Sequence, residues 1–262
     1  MNWKIVLLYM YKIAGMVFLS LIILTGYQPV SAIDEDKPNS LDIVIIAGTG
    51  VATIALELGK YYITPTKPSI TTPNSLDASL RNVLRWKKAM NDASLLSDIG
   101  LAISLSGGLW IPLLTQAPYL NGLLIMSQSL FTTSLITDLI KIISGRQRPY
   151  AYYGTSASQG ADDNYSFLSG HTSLSFAMAA TGSLILAERF PELKVLIYAA
   201  SFLIAGTTAY LRIAGDKHYF TDVAAGALLG TGIGYATYLW RKPWIQFKPV
   251  ADGIMLQKTV YF

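Results

Sequence analysis

The chain has 262 residues, of which 52% are hydrophobic and 14% charged, and its mean hydropathy is +0.41. That charge is too sparse to cover an ordinary soluble surface, so a disordered chain is excluded and a membrane protein or very apolar helical bundle is the working class. Cysteine is absent, histidine occurs twice and the net charge is only +4, which excludes disulfides, thiolate chemistry and histidine-rich metal centres and leaves no basis for nucleic-acid binding.

Residues 1–32 read as an export signal. Lys4 and Lys12 precede the apolar run Ile13–Thr25, and Val30-Ser31-Ala32 offers a small-x-small cleavage pattern. An uncleaved anchor over Ile5–Leu24 is the other reading, and both leave residue 33 outside the cytoplasm. Six apolar stretches follow: Ile43–Tyr62, Ile99–Leu120, Asn121–Ile143, Thr172–Ala187, Val195–Leu211 and Val223–Trp240. Each approaches the length of a membrane span, and their Gly, Ala, Ser and Thr suit close helix packing in a bilayer or a tight soluble core. Ile43–Tyr62 is the weakest because it holds Glu57 and Lys60. After the linker Thr64–Pro68, Leu76–Met90 has the pattern of an amphipathic helix. Its Arg81, Arg85, Lys87 and Lys88 suit an anionic membrane surface or a solvated face. The tail over 241–262 places Ala251-Asp252-Gly253 between two apolar runs, a β-hairpin signal. The expected division is 1–32 signal, 33–95 N-terminal helix and connecting segment, 96–240 core, and 241–262 hairpin tail.

Three polar clusters end these stretches. The first runs from Lys141 to Pro149, the second from Ser166 to His171, the third from Leu211 to Asp222. Two crossings separate the third from the second, so all three meet at one end of the bundle. Lys141, Arg148 and Arg212 then surround His171 and His218, and three cations in that setting call for an anion. Arginine offers a planar fork to phosphate oxygens, and lysine adds a point charge. Ser169 and Gly170 stand at a helix start, where N–H groups are free for an oxyanion. Asp222, four residues beyond His218, is placed to hold one imidazole nitrogen while the other attacks phosphorus. His171 is placed to protonate the leaving oxygen. The chemistry requires no metal and no cofactor. Outside these clusters, Arg146 reads as a solvated or headgroup-facing cation, Asp216 and Lys217 as loop charges, and Asp162 and Asp163 as a solvated turn. Tyr150, Tyr152 and Tyr153 read as interface anchors, and Asp138 as an i, i+3 partner of Lys141.

The ordered pattern K-x6-R-P (Lys141, Arg148, Pro149), S-G-H (Ser169, Gly170, His171) and R-x5-H-x3-D (Arg212, His218, Asp222) resembles the type 2 phosphatidic acid phosphatase and vanadium haloperoxidase superfamily. The resemblance implies an all-α, six-helix bundle that hydrolyses phosphate esters or pyrophosphates without metal. It makes His218 the nucleophile, Asp222 its orienting partner and His171 the general acid. Lys141, Arg148, Arg212, Ser169 and Gly170 become the phosphate cradle. Two positions depart from the family's usual residues: Leu168 stands for Pro, and Leu211 for Ser.

The expected function is a phosphatase on a lipid phosphate monoester or lipid pyrophosphate, with the membrane and a phosphorylated lipid as partners. A phosphatase on small soluble esters, a vanadate-dependent haloperoxidase and a non-catalytic lipid-binding protein are the competing readings. The expected location is the inner membrane of an exported chain, with the site facing outward. That sidedness holds if Ile43–Tyr62 does not span; if all six stretches span, the clusters face the cytoplasm.

Overall fold

The computed structural model describes residues 40–63, 65, 67–115, 119–241, 245–250 and 253–258. The export signal over 1–32 and the hairpin residues Ala251 and Asp252 lie outside them. Among the described residues there are eight α-helices: α1 Ser40–Ile63, α2 Ser75–Leu84, α3 Met90–Thr115, α4 Tyr119–Ser144, α5 Pro149–Tyr152, α6 Gly170–Arg189, α7 Lys194–Ala214 and α8 Phe220–Arg241. Six of these are 20 residues or longer. Short 3-10 turns cover Gly160–Asn164 and Pro191–Leu193. Strands β1 Ile245–Val250 and β2 Gly253–Lys258 pair antiparallel, with Val250 opposite Gly253.

Helix α6 is the hub, packing against α3, α4, α7 and α8, while α1 lies along α4. Its sequence explains the position. Small Ala, Gly, Ser and Thr residues dominate α6, and it is buried along most of its length. Its hydroxyls are spent on neighbours: Thr137 Oγ1 of α4 lies 2.9 Å from Ser173 Oγ, and Thr181 Oγ1 donates to Ser129 Oγ at 2.8 Å. Met178, Ile185 and Leu186 of α6 pack with Ile111, Ile125, Met126 and Tyr238 in the largest apolar cluster.

Among the described residues, four helices are long and apolar enough to cross a membrane, over Ile43–Lys60, Met90–Leu114, Leu120–Ser144 and Pro191–Ala214. The sequence suggested six. The two that fall short are in α6 and α8, where small and hydroxylated residues serve helix contact and lower the hydropathy. The outer helices show the opposite bias: Val51, Leu58, Val195, Leu196 and Leu203 are all exposed, as a lipid-facing surface requires. Glu57 and Lys60 pair with each other at 2.7 Å near the C-terminal end of α1, which removes the objection to that stretch as a span.

Two boundaries differ from the sequence reading. The amphipathic helix is not Leu76–Met90; α2 stops at Leu84, because Arg85 turns extended and the Trp86 N–H is drawn to the Ala214 carbonyl at 3.0 Å. Helix α3 then starts at Met90, so the expected 95/96 boundary falls inside it, and Asp98 is helical.

Candidate active site

The ends of α4, α6, α7 and α8 carry the three clusters to one end of the bundle. Helix α4 ends where Gly145 adopts φ +50, a left-handed turn that suits glycine. Lys141 lies in its last turn, and its Nζ donates to the Tyr165 carbonyl at 2.9 Å. It also flanks the start of α6, since a Cβ built on Gly170 would stand 3.6 Å from Lys141 Cε. Arg212 occupies the last turn of α7, and Asp222 the first turn of α8.

His218 is buried in the turn between α7 and α8. Arg148 Nη1 donates to its Nε2 at 3.0 Å. Burial, then the charges of Arg148, Lys141, Arg212 and His171, push the His218 pKa well below its ordinary value. Burial and these neighbouring charges thus disfavour the imidazolium form. Its Nδ1 faces Asp222 Oδ2 at 3.6 Å. Both residues were expected on one helical face; instead His218 precedes α8, and the separation exceeds a hydrogen bond. Asp222 is held by others: Arg146 Nη1 donates to Oδ1 at 2.5 Å, while Ser166 Oγ and the Tyr219 N–H donate to Oδ2 at 2.6 and 2.9 Å.

The second histidine has a partner that sequence reasoning missed. His171 Nε2 lies 2.8 Å from Asp98 Oδ1, and Arg212 Nη1 reaches the same oxygen at 3.5 Å and Ser97 Oγ at 3.0 Å. The apolar run that begins at Ile99 gives no signal for Asp98, which lies within a helix that starts at Met90. Ser169 is buried at the N-cap of α6, but its N–H donates to the Asp222 carbonyl at 3.0 Å, and its Oγ accepts from Thr172 Oγ1 at 3.0 Å. The N–H expected to be free at Ser169 is thus occupied. Gly170 opens the helix, where the first-turn amides have no intrahelical acceptor.

Several charges assigned to solvent belong to this region. Arg146 is buried, joining Asp222 to Asp77 Oδ2 at 2.6 Å and to Thr221 Oγ1 at 2.8 Å. Asp216 is buried and takes a two-point contact from Arg81 at 2.6 and 2.7 Å. Arg81, read as a surface cation, is buried with it. Asp162 accepts from Arg148 Nη2 at 3.1 Å, and its backbone carbonyl accepts from Arg148 Nε at 2.8 Å. Burial opposes its ionisation, but Arg148, Lys141 and Lys60 hold its pKa down to about 2. Tyr150 is buried rather than anchored at an interface, whereas Tyr152 and Tyr153 are exposed. Asp138 accepts from the Tyr165 hydroxyl at 3.2 Å. Lys217, half-buried, lies 4.8 Å over the Tyr150 ring, and burial with Arg212 and Arg148 lowers its pKa to about 8. Among the described residues no group of three His, Asp or Glu side chains gathers as a metal site.

A family comparison gathers the three clusters under one description: residues 122–246 match the model of the PAP2 superfamily. This stretch, just under half of the chain, is similar to the PAP2 superfamily. A PA-phosphatase related-family protein of Dictyostelium discoideum is 29% identical over 157 residues, 55% of this chain and 57% of that protein. Lipid phosphate phosphatase 1 of Arabidopsis thaliana is 30% identical over 131 residues, 40% of each chain. The chain thus spans about half the length of the curated relatives it matches. Among solved structures, a transmembrane PAP2 type phosphatidylglycerolphosphate phosphatase from Bacillus subtilis aligns with a TM-score of 0.51 at 17% identity, covering 76% of this chain and 94% of that one. At that identity the likeness concerns the fold. The PAP2 match begins within α4, whereas Asp77, Arg81 and Asp98 come from helices before it.

Proposed function

We propose that this protein hydrolyses a lipid phosphate monoester or lipid pyrophosphate without metal, through a phosphohistidine at His218, on the frame of a six-helix bundle. The observation that carries the reading is the buried imidazole of His218, met by Arg148 Nη1 at 3.0 Å at the bundle end that also carries Lys141 and Arg212. Phosphate arriving there takes the N–H groups of the arginines, and Arg148 then leaves Nε2. The freed lone pair attacks phosphorus; the N–P bond forms as the P–O bond to the lipid breaks. His171 gives its proton to the leaving oxygen. Water, deprotonated by His171, then attacks phosphorus, the N–P bond breaks and inorganic phosphate departs. Asp222 carries the charge that balances the imidazolium at Nδ1, and Asp98 orients His171. The apolar exterior suits a substrate with an acyl or prenyl tail, and the lipid phosphate phosphatases among the relatives support that class.

The test is phosphate release by detergent-purified protein with EDTA present. The panel holds phosphatidic acid, phosphatidylglycerophosphate, a prenyl pyrophosphate, a lipid A phosphate and one soluble ester. Release from a lipid that vanishes in His218→Ala is the expected result. Release unaffected by that substitution would end the phosphohistidine reading, and exclusive release from the soluble ester would end the lipid one.

Sidedness turns on whether α1 crosses the membrane. With residue 33 exported and α1 crossing, the site end faces the cytoplasm, in keeping with the basic segment Lys67–Lys88 at that end. An outward site needs α1 to stay out of the bilayer, and α1 meets the length and hydropathy of a span.

A further inference from the structure

Helix α2 is built inside out. Its charged residues Asp77 and Arg81, one turn apart, are 0% and 3% exposed, whereas Leu76 and Val83 are 50% and 78% exposed. An ordinary surface helix buries the apolar face. The inward charges instead grip the segment that carries His218, on both sides of it. Before His218, Arg81 holds the Asp216 carboxylate, which also accepts from Thr155 Oγ1 at 2.5 Å. After it, Asp77 Oδ1 accepts the Thr221 N–H at 2.9 Å, and Oδ2 accepts Thr221 Oγ1 at 2.7 Å. Asn74 caps α2 and donates to the same carboxylate at 2.9 Å. Between the two grips runs the chain Asp77–Arg146–Asp222, with bonds of 2.6 and 2.5 Å.

We propose that α2 is a positioning element for the nucleophile: Asp77 fixes Arg146, and Arg146 fixes both the place and the effective charge of Asp222 behind His218. The inference rests on His218 being the nucleophile. Arg146 has no access to a phosphate on this account, because its guanidinium is engaged by Asp77, Asp222 and Thr221 and stacks 4.4 Å over the Tyr219 ring. It occupies Asp222 Oδ1, which leaves Oδ2 as the oxygen nearest His218 Nδ1. One arginine between two carboxylates leaves a net negative charge behind the imidazole. Had Asp77 been neutral, Arg146 would cancel Asp222, and His218 would face only the cations Arg148, Lys141 and Arg212 and the ring of His171.

The pH dependence of kcat/KM tests this, because its acid limb reports deprotonation of His218. Asp77→Asn removes a negative charge and lowers that limb by roughly one unit, and Arg146→Gln removes a positive charge and raises it by roughly one unit. Each lowers kcat about tenfold by loosening Asp222. Asp77→Asn with Arg146→Gln restores the charge balance, returning the limb to its wild-type place while kcat stays low. A purely structural role for α2 would leave both limbs unmoved or shift them in one direction, and either result overturns the inference. If a single variant fails to fold, the double variant carries the test: wild-type kcat there would also overturn it. His218→Ala in the same assay separates the two claims. Activity in that variant defeats the nucleophile assignment itself, whereas an inactive His218→Ala beside unmoved limbs defeats only the role of α2.

Discussion

Helices α6 and α8, which carry His171 and Asp222, meet across a face of glycines, and Gly230→Ala measures how tightly. Gly226, Gly230 and Gly234 line the face of α8 that meets α6. A Cβ at Gly230 would stand 2.0 Å from the Ser173 carbonyl oxygen and 3.0 Å from the Ala177 nitrogen, both backbone atoms that cannot swing aside. Ordinary contact begins near 3.4 Å, so the helices must part by roughly 1.4 Å at that level. Overpacking of this kind costs ~1–3 kcal/mol. The same movement draws Asp222 from the Ser169 N–H and His218 from the start of α6, and a displacement near 1 Å costs about a hundredfold in rate. Gly232→Ala is the matched control: it meets no atom within 4 Å, and alanine's helix propensity stabilises it by up to ~1 kcal/mol. Thermal unfolding in detergent and phosphate release should therefore separate the two variants, with Gly230→Ala less stable and slower. Equal melting temperatures and equal rates for the pair would refute the close-packed α6–α8 contact and the dependence of the site on it.

Further outcomes follow from single groups. Asp98→Asn keeps the shape but removes the charge facing His171 and Arg212, and should lower kcat on the order of tenfold to a hundredfold; an unchanged kcat would release Asp98 from the mechanism. Lys217 is protonated below its pKa of about 8 and neutral above it, so its pull on an anionic substrate is present at lower pH and lost as pH rises through that value. KM should climb above about pH 8, and Lys217→Met should flatten that rise; a rise that persists in the variant assigns it elsewhere. The absence of cysteine makes sidedness directly readable. Ser156→Cys, exposed at the site end, should react with a membrane-impermeant maleimide only after permeabilisation if α1 crosses, whereas labelling of intact cells would place the site outside.

The sequence made the three clusters legible because each is a local run: Lys141 to Pro149, Ser166 to His171, Leu211 to Asp222. Alternating helix directions were enough to bring them to one end, and the structure gathers Lys141, Arg148, Arg212, His171 and His218 there. Partners supplied from a distance were not legible. Asp77 reaches Arg146 across 69 positions and Arg81 reaches Asp216 across 135, and neither has a spacing signal. Asp98 was hidden by a helix start set at the first uninterrupted apolar residue rather than at Met90. Charge near an apolar helix end was read as solvated, which is the common case for surface residues. Here it failed for Arg81, Arg146 and Asp216, since a cationic pocket needs buried carboxylates to offset it. The hub position of α6 was likewise masked: Thr172–Ala187 looked like a span, when its small hydroxylated residues marked it as the helix most enclosed by others.

The central claim is a covalent phosphate on His218, and rapid-quench labelling tests it most directly. Protein mixed with a lipid substrate carrying radiolabelled phosphate, quenched in alkali within milliseconds, should hold label on the chain. That label should survive base, leave in acid as a P–N bond does, map to the peptide containing His218, and be absent from His218→Ala. Turnover of the same substrate with no label on the wild-type chain at any quench time, or label that persists in His218→Ala, would contradict the account.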